Sequence, residues 1–195
     1  MSMLLSMTAF ALAASISPGP VNIVALSSGA RHGVAASMAH VTGATVGFTL
    51  LLLLTGLGLH EMLTRLPWLT DAIRWAGIAF LLYMAWRLAI DSGELNAGQA
   101  AQQPSLAHGA AMQWLNPKAW LAAVAGMGTF ASSGDAGAVW LFTGVYFIVC
   151  YLSIASWALA GSFLSQYMQT AHRVRLFNRT MAALLVVSVI YLVAG

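Results

Sequence analysis

The chain has 195 residues, of which 60% are hydrophobic and 7% charged, against roughly a quarter charged in ordinary soluble domains. A water-soluble fold could not cover such a surface, so an integral membrane protein is expected, and six spans of about 20 residues leave no room for a second, soluble domain. The net charge of +3 and sequence pI of about 9.4 do not indicate a nucleic-acid partner, because the eight Lys and Arg are dispersed and form no basic stripe.

In chain order, the first apolar run is Met3–Leu26. Ala11-Leu12-Ala13 resembles a signal-peptide cleavage site, but no Lys or Arg precedes it, so the segment reads as the first helix. It is interrupted by Ser17-Pro18-Gly19-Pro20-Val21-Asn22. The second span is Ala39–Leu59, the third Ile73–Ile90. Asp91–His108, rich in Gly, Gln, Asn and Ser, reads as the longest loop. The fourth span, Gly109–Phe130, carries Leu115-Asn116-Pro117-Lys118-Ala119. The fifth is Val139–Leu164, and the firm part of the sixth is Met181–Ala194.

The expected fold is therefore all-α, with six transmembrane helices in one domain spanning 1–195. Two halves, about 1–95 and 108–195, are joined by the loop 91–108. Three spans per half make any duplication an inverted repeat, and a broken helix opens each half. With six spans both termini share one side. That side carries Arg65 and Arg74, while the opposite side carries Arg31, Arg87, Arg173, Arg175 and Arg179. Positive-inside then places both termini outside the cytoplasm. Trp68 and Trp140 flank span starts and suit the aromatic interface; lipid-facing or packing positions are expected for Trp75, Trp86, Trp114, Trp120 and Trp157.

The two proline motifs stand half a chain apart. Corresponding breaks in the two halves of a membrane protein point to a transporter's binding site. Pro18, Gly19 and Pro20 together are more than a mild kink, because proline removes an amide donor and clashes with the preceding turn. The freed carbonyls need partners in hydrocarbon. They suit an ammonium group, while the amide end of the resumed helix suits a carboxylate. Asn22 adds a neutral donor and acceptor. Lys118, with Asn116 and Pro117, lies well inside an apolar run, where a charge costs roughly 2.5–3.5 kcal/mol by insertion scales. None of the five acids, Glu61, Asp71, Asp91, Glu94 and Asp135, falls inside a span. A substrate carboxylate is a natural partner for Lys118; a neutral lysine is the other. Lys118 and His40 are also the candidates for proton coupling, although His40, at a span start, equally suits the membrane interface. Gly43 and Gly47 form a small-xxx-small pair for close helix contact. Arg87 and Asp91 are spaced as a solvated i, i+4 ion pair.

Zinc-type His/Cys spacing, a Gly-rich phosphate loop and a nucleophile elbow are all missing from the sequence. No cofactor and no enzymatic activity are expected. Cys150 is the sole cysteine, which excludes an intrachain disulfide.

Taken in order, Ser17-Pro18-Gly19-Pro20, Arg31-His32-Gly33, the Gly43–Gly58 span, Trp75-Ala76-Gly77 and Asn116-Pro117-Lys118-Ala119 resemble the LysE/RhtB family of amino-acid exporters over nearly the whole chain. Within it, Asn22-Ile23-Val24-Ala25-Leu26-Ser27-Ser28, Ala85-Trp86 and Trp157-Ala158-Leu159-Ala160-Gly161 are similar to the cysteine/O-acetylserine exporter branch. Val21 departs from that branch, which tends to have Asn after the second proline. The resemblance implies an inner-membrane efflux permease for amino acids or their derivatives, driven by the proton gradient. Leucine, threonine and homoserine stay open as substrates beside cysteine and O-acetylserine, as does pairing into a homodimer. The rival readings are a channel, separable by flux kinetics, and a non-transporting subunit of a membrane complex, which leaves two broken helices and a buried lysine unexplained.

Overall fold

The computed structural model describes residues 3–59, 65, 67–90, 105–131, 135–167 and 170–194. Most of the predicted longest loop, with Asp91 and Glu94, and also Glu61, lies outside these residues, so the Arg87–Asp91 pair does too. The described residues are helical almost throughout: α1 (Met3–Ile16), α2 (Pro20–Leu54), α3 (Pro67–Ala89), α4 (Leu106–Trp114), α5 (Pro117–Phe130), α6 (Ala136–Ser165) and α7 (Ala171–Ala194). A π-helical turn, Thr55–Leu59, continues α2.

Turn chemistry sets the helix starts inside the apolar runs. Pro20 and Pro117 occupy the first positions of α2 and α5, where a missing amide proton costs nothing. Ser105, Asn116 and Asp135 cap α4, α5 and α6 by accepting backbone amide protons. The fourth predicted span is thus two helices, and its start moves from Gly109 to Leu106. The sixth begins at Ala171, a full ten residues before its most apolar part.

The expected connection between the first two spans is not a loop. Residues 27–38 are helical, part of the 35 residues of α2. Unbroken, that helix would run about 50 Å, beyond a hydrocarbon core of about 30 Å. It is broken at Gly33 (φ 79°, ψ 173°), a conformation that side chains other than glycine's do not tolerate. Ser37 Oγ closes the break, donating to the Gly33 carbonyl and pairing with the Ser28 hydroxyl, each at 2.8 Å. The small polar residues that read as a connection are buried in helix contacts instead: Ser27, Ser28, Gly29 and Ser37 are all buried.

α2 packs chiefly against α6 and α4, α1 lies on α6, and α3 pairs with α7. Close approach is set by glycines. A Cβ at Gly29 would overlap the Ala158 carbonyl, and one at Gly161 the Leu26 carbonyl. Gly43 and Gly109 stand in the same relation to Leu106 and His40, and Gly47 meets Ala110, so the small-residue pair of the second span seats α4. The main core gathers Met7, Phe48, Leu51, Met112, Phe142 and Tyr146. Two helical segments, Pro20–Gly58 and Ala136–Ser165, are long and apolar enough to cross a membrane. On α6, Phe142, Tyr146 and Ile154 are buried while Trp140, Ile148, Leu152 and Phe163 are exposed, an outer face suited to lipid.

Candidate functional site

The two breaks meet. Between α1 and α2, Pro18 and Pro20 remove the amide protons that the Ala14 and Ile16 carbonyls would have accepted. Each carbonyl has found another donor: Ser17 Oγ bonds Ala14 O at 3.1 Å, and the Trp157 indole N–H bonds Ile16 O at 3.0 Å. Asn22 Nδ2 reaches back to the Ser15 and Ser17 carbonyls at 2.8 and 3.0 Å. Between α4 and α5 the repair is similar. The Asn116 amide turns onto Gln113 O at 3.2 Å, and the Trp120 indole takes Trp114 O at 2.8 Å. The Trp114 indole ties the same turn to Gly47 O at 3.1 Å.

Lys118 bridges the breaks. Its ammonium donates to Ser17 Oγ at 2.7 Å, Ser17 O at 3.0 Å and Pro18 O at 3.3 Å. Three protons thus meet three neutral oxygens, and the carbonyls expected to stand exposed for a ligand's ammonium are held by side chains. Asn116 Oδ1 caps α5 at the Lys118 amide, 3.2 Å away. The start of α2 is different. Its cap residue Gly19 is extended and offers no side chain, and the Val21 and Asn22 amides have no backbone partner among the described residues. With the helix dipole behind them, these two amides form a place for an anion. Lys118 Nζ lies 3.4 Å from where a Cβ on Gly19 would stand, so the cation and the open amides face one cavity.

That cavity, about 400 Å³ including its open mouth, lies between the breaks. Gly19, Asn22, Asn116 and Lys118 line it; Pro18, which is exposed, and Pro20 and Pro117, which start α2 and α5, are not among its lining residues. Predicted site residues from both halves therefore come together. His40 does not line it and is packed inside the protein, 0% exposed. Its Nε2 lies 3.2 Å from the Val21 carbonyl, and its ring sits 6.0 Å from that of His108. The helix that carries it continues through the expected connection, so residue 40 lies deep in the bundle and not at a helix start.

Several lining residues were missed by sequence reasoning. Ser15, Gln113, Tyr146 and Cys150 all face the cavity. Gln113 had a usable signal, a polar residue one turn before Pro117. The others did not, since Ser and Cys are common in membrane helices. Trp68, Trp75, Trp86 and Trp140 are exposed, whereas Trp114, Trp120 and Trp157 hold break or neighbouring carbonyls. Replacing Trp157 with Phe is expected to lower stability by about 1–3 kcal/mol, because Ile16 O loses its donor while the ring volume is largely kept. Thermal unfolding in detergent measures this, and an unchanged midpoint would remove the indole from the account.

The LysE type translocator model matches residues 12–195. The cysteine/O-acetylserine efflux protein of Escherichia coli (strain K12) is 31% identical over 156 residues, 78% of each chain. The proteins of the same name from Shigella sonnei (strain Ss046) and from E. coli O1:K1 / APEC are 31% and 30% identical over the same length. No solved structure matches. The chain is thus similar to transporters and not to enzymes, and with a family match that runs through both breaks, it belongs to the LysE-type translocators, a family of membrane proteins.

Proposed function

We propose that the chain is a secondary transporter of the inner membrane that exports amino acids or their derivatives, with cysteine and O-acetylserine as first candidates from the name of its E. coli relatives. The observation that carries this reading is Lys118 of the second break bonded to Ser17 and Pro18 of the first. Its ammonium occupies the oxygens that a substrate's ammonium would use. A zwitterion can exchange with it: the carboxylate takes the Val21 and Asn22 amides and draws Lys118 to itself, while the substrate ammonium takes the vacated Ser17 and Pro18 oxygens. Gly19, Asn22 and Asn116 shape the space, and Pro18, Pro20 and Pro117 keep both helices open there.

The halves are two inverted three-helix repeats in this reading. Support comes from the pattern of packing: α2 lies on α4 as α6 lies on α1, while α2 meets α6 and α3 meets α7. Rocking one half against the other would pass the site between the two faces. Positive-inside counting keeps both termini outside the cytoplasm. Export is coupled to the proton gradient, with Lys118 and His40 as the candidate titratable groups.

The reading is tested by efflux of a panel of labelled amino acids from reconstituted vesicles, with and without an imposed proton gradient. Saturable export of at least one amino acid, faster with the gradient, is expected. If the intact protein moves none of them, the proposal falls.

A further inference from the structure

Beside Lys118, the open α2 amides and Asn22, the cavity is lined by side chains without a formal charge: Ser15 of α1, Gln113 of α4 and Tyr146 and Cys150 of α6, together with Phe48 and Ile154. Several polar groups there lack a partner. Ser15 Oγ is buried and makes no hydrogen bond. The Gln113 side chain, 6% exposed, bonds no described residue. Behind Cys150, Thr45 Oγ1 is also buried and unpartnered. The Ser15 and Thr45 hydroxyls stand beside the Cys150 thiol, and Ser15 also beside the Tyr146 hydroxyl.

Ser and Thr in a membrane helix ordinarily fold back onto the carbonyl one turn earlier. Thr8, Thr49, Thr55, Thr129, Thr143 and Thr180 do so here. Ser15 and Thr45 do not. A hydroxyl and an amide held in a cavity without partners are unfavourable unless something that enters can bond them. The Phe48 and Tyr146 rings, whose centroids are 4.5 Å apart, both line the cavity.

We propose that Ser15, Gln113, Tyr146 and Cys150 form the side-chain subsite of the transporter, shaped for a small uncharged polar group such as a hydroxyl, thiol or short ester. The assignment rests on the amino-acid export reading above, with the zwitterionic end at the breaks. An aliphatic side chain of equal size would leave the Ser15 and Gln113 groups unpaired, and a charged one would meet no opposite charge. Sites built to bond a polar group reject the analogue that lacks it far more strongly than apolar pockets reject an extra hydroxyl.

The test uses isosteric substrate pairs with the full-length protein in proteoliposomes: threonine against valine, and cysteine against 2-aminobutyrate. The wild-type kcat/KM is expected to favour the polar member of each pair by roughly tenfold to a hundredfold. Ser15→Ala and Gln113→Leu, each confirmed as monodisperse, should each bring the ratio toward one. Equal transport of both members by the wild type would overturn the subsite while leaving amino-acid export standing. So would ratios unchanged in both variants. Transport of neither member of any pair, together with no export across the labelled panel, would overturn the export reading and the subsite with it. The wild-type ratio alone decides the case if a variant fails to fold.

Discussion

Replacing Lys118 with methionine is expected to lower amino-acid transport about a hundredfold or more, while the protein stays folded. Methionine keeps much of the stem's length and removes the ammonium. Ser17 and Pro18 then lose the cation that spans 101 and 100 residues of sequence to reach them, and a substrate carboxylate at the α2 amides loses its counter-charge. Truncating one member of a hydrogen-bonded charged contact costs on the order of 2–5 kcal/mol, which is the source of the expected factor. Because Lys118 is half-buried and its contact to the Pro18 carbonyl is exposed, waters can take the freed carbonyls, so the loss falls on transport more than on folding. Arginine should not restore full activity. Its planar fork is larger than an ammonium, and Gly19 already lies against the lysine tip. Initial rates in proteoliposomes, with elution and thermal profiles for folding, measure this. Wild-type rates in Lys118→Met would remove the lysine from the site.

The largest effect on stability is expected at the glycine crossings. Gly29→Ala and Gly161→Ala each put a methyl group into the backbone of the opposite helix, at the Ala158 and Leu26 carbonyls. Neither neighbour is a side chain that can swing away, so α2 and α6 must separate. Overpacking of this kind typically costs about 1–3 kcal/mol, and the double variant, with two rigid overlaps on one seam, should leave little monodisperse protein. Gly128→Ala and Gly144→Ala are the controls, since a Cβ at either meets nothing within 4 Å. In a helix that change favours folding by a few tenths of a kcal/mol to about 1 kcal/mol. Fluorescence-detected elution after heating reads all four. Equal stability of Gly161→Ala and Gly144→Ala would mean that the close crossing does not hold the bundle.

These two results bear on different parts of the same design. The glycines let α2 and α6 touch backbone to backbone, and the same two helices line part of the cavity: Val21, Asn22 and Phe48 on one, Tyr146, Cys150 and Ile154 on the other. A shift at the crossing therefore changes the site's width before it unfolds the chain, and partial variants at Gly29 should show altered substrate affinity ahead of lost expression.

The sequence by itself determined the membrane class, the helical character and the two breaks. Those features are local: apolar runs of spanning length, and prolines that remove named amide donors whatever surrounds them. It also singled out Lys118 as a cation inside an apolar run, because a charge census needs no coordinates. The tertiary structure alone decided what the cation touches, since Ser17 and Pro18 are brought to it by packing and not by spacing. It likewise packed His40 into the core and buried Ser27, Ser28, Gly29 and Ser37 in helix contacts, although their polarity reads as a connection. The donors that repair the breaks, Trp157 for Ile16 O and Trp120 for Trp114 O, were legible only as apolar aromatics. A tryptophan's burial follows from its composition, but the carbonyl its N–H finds depends on which helix folding places beside it.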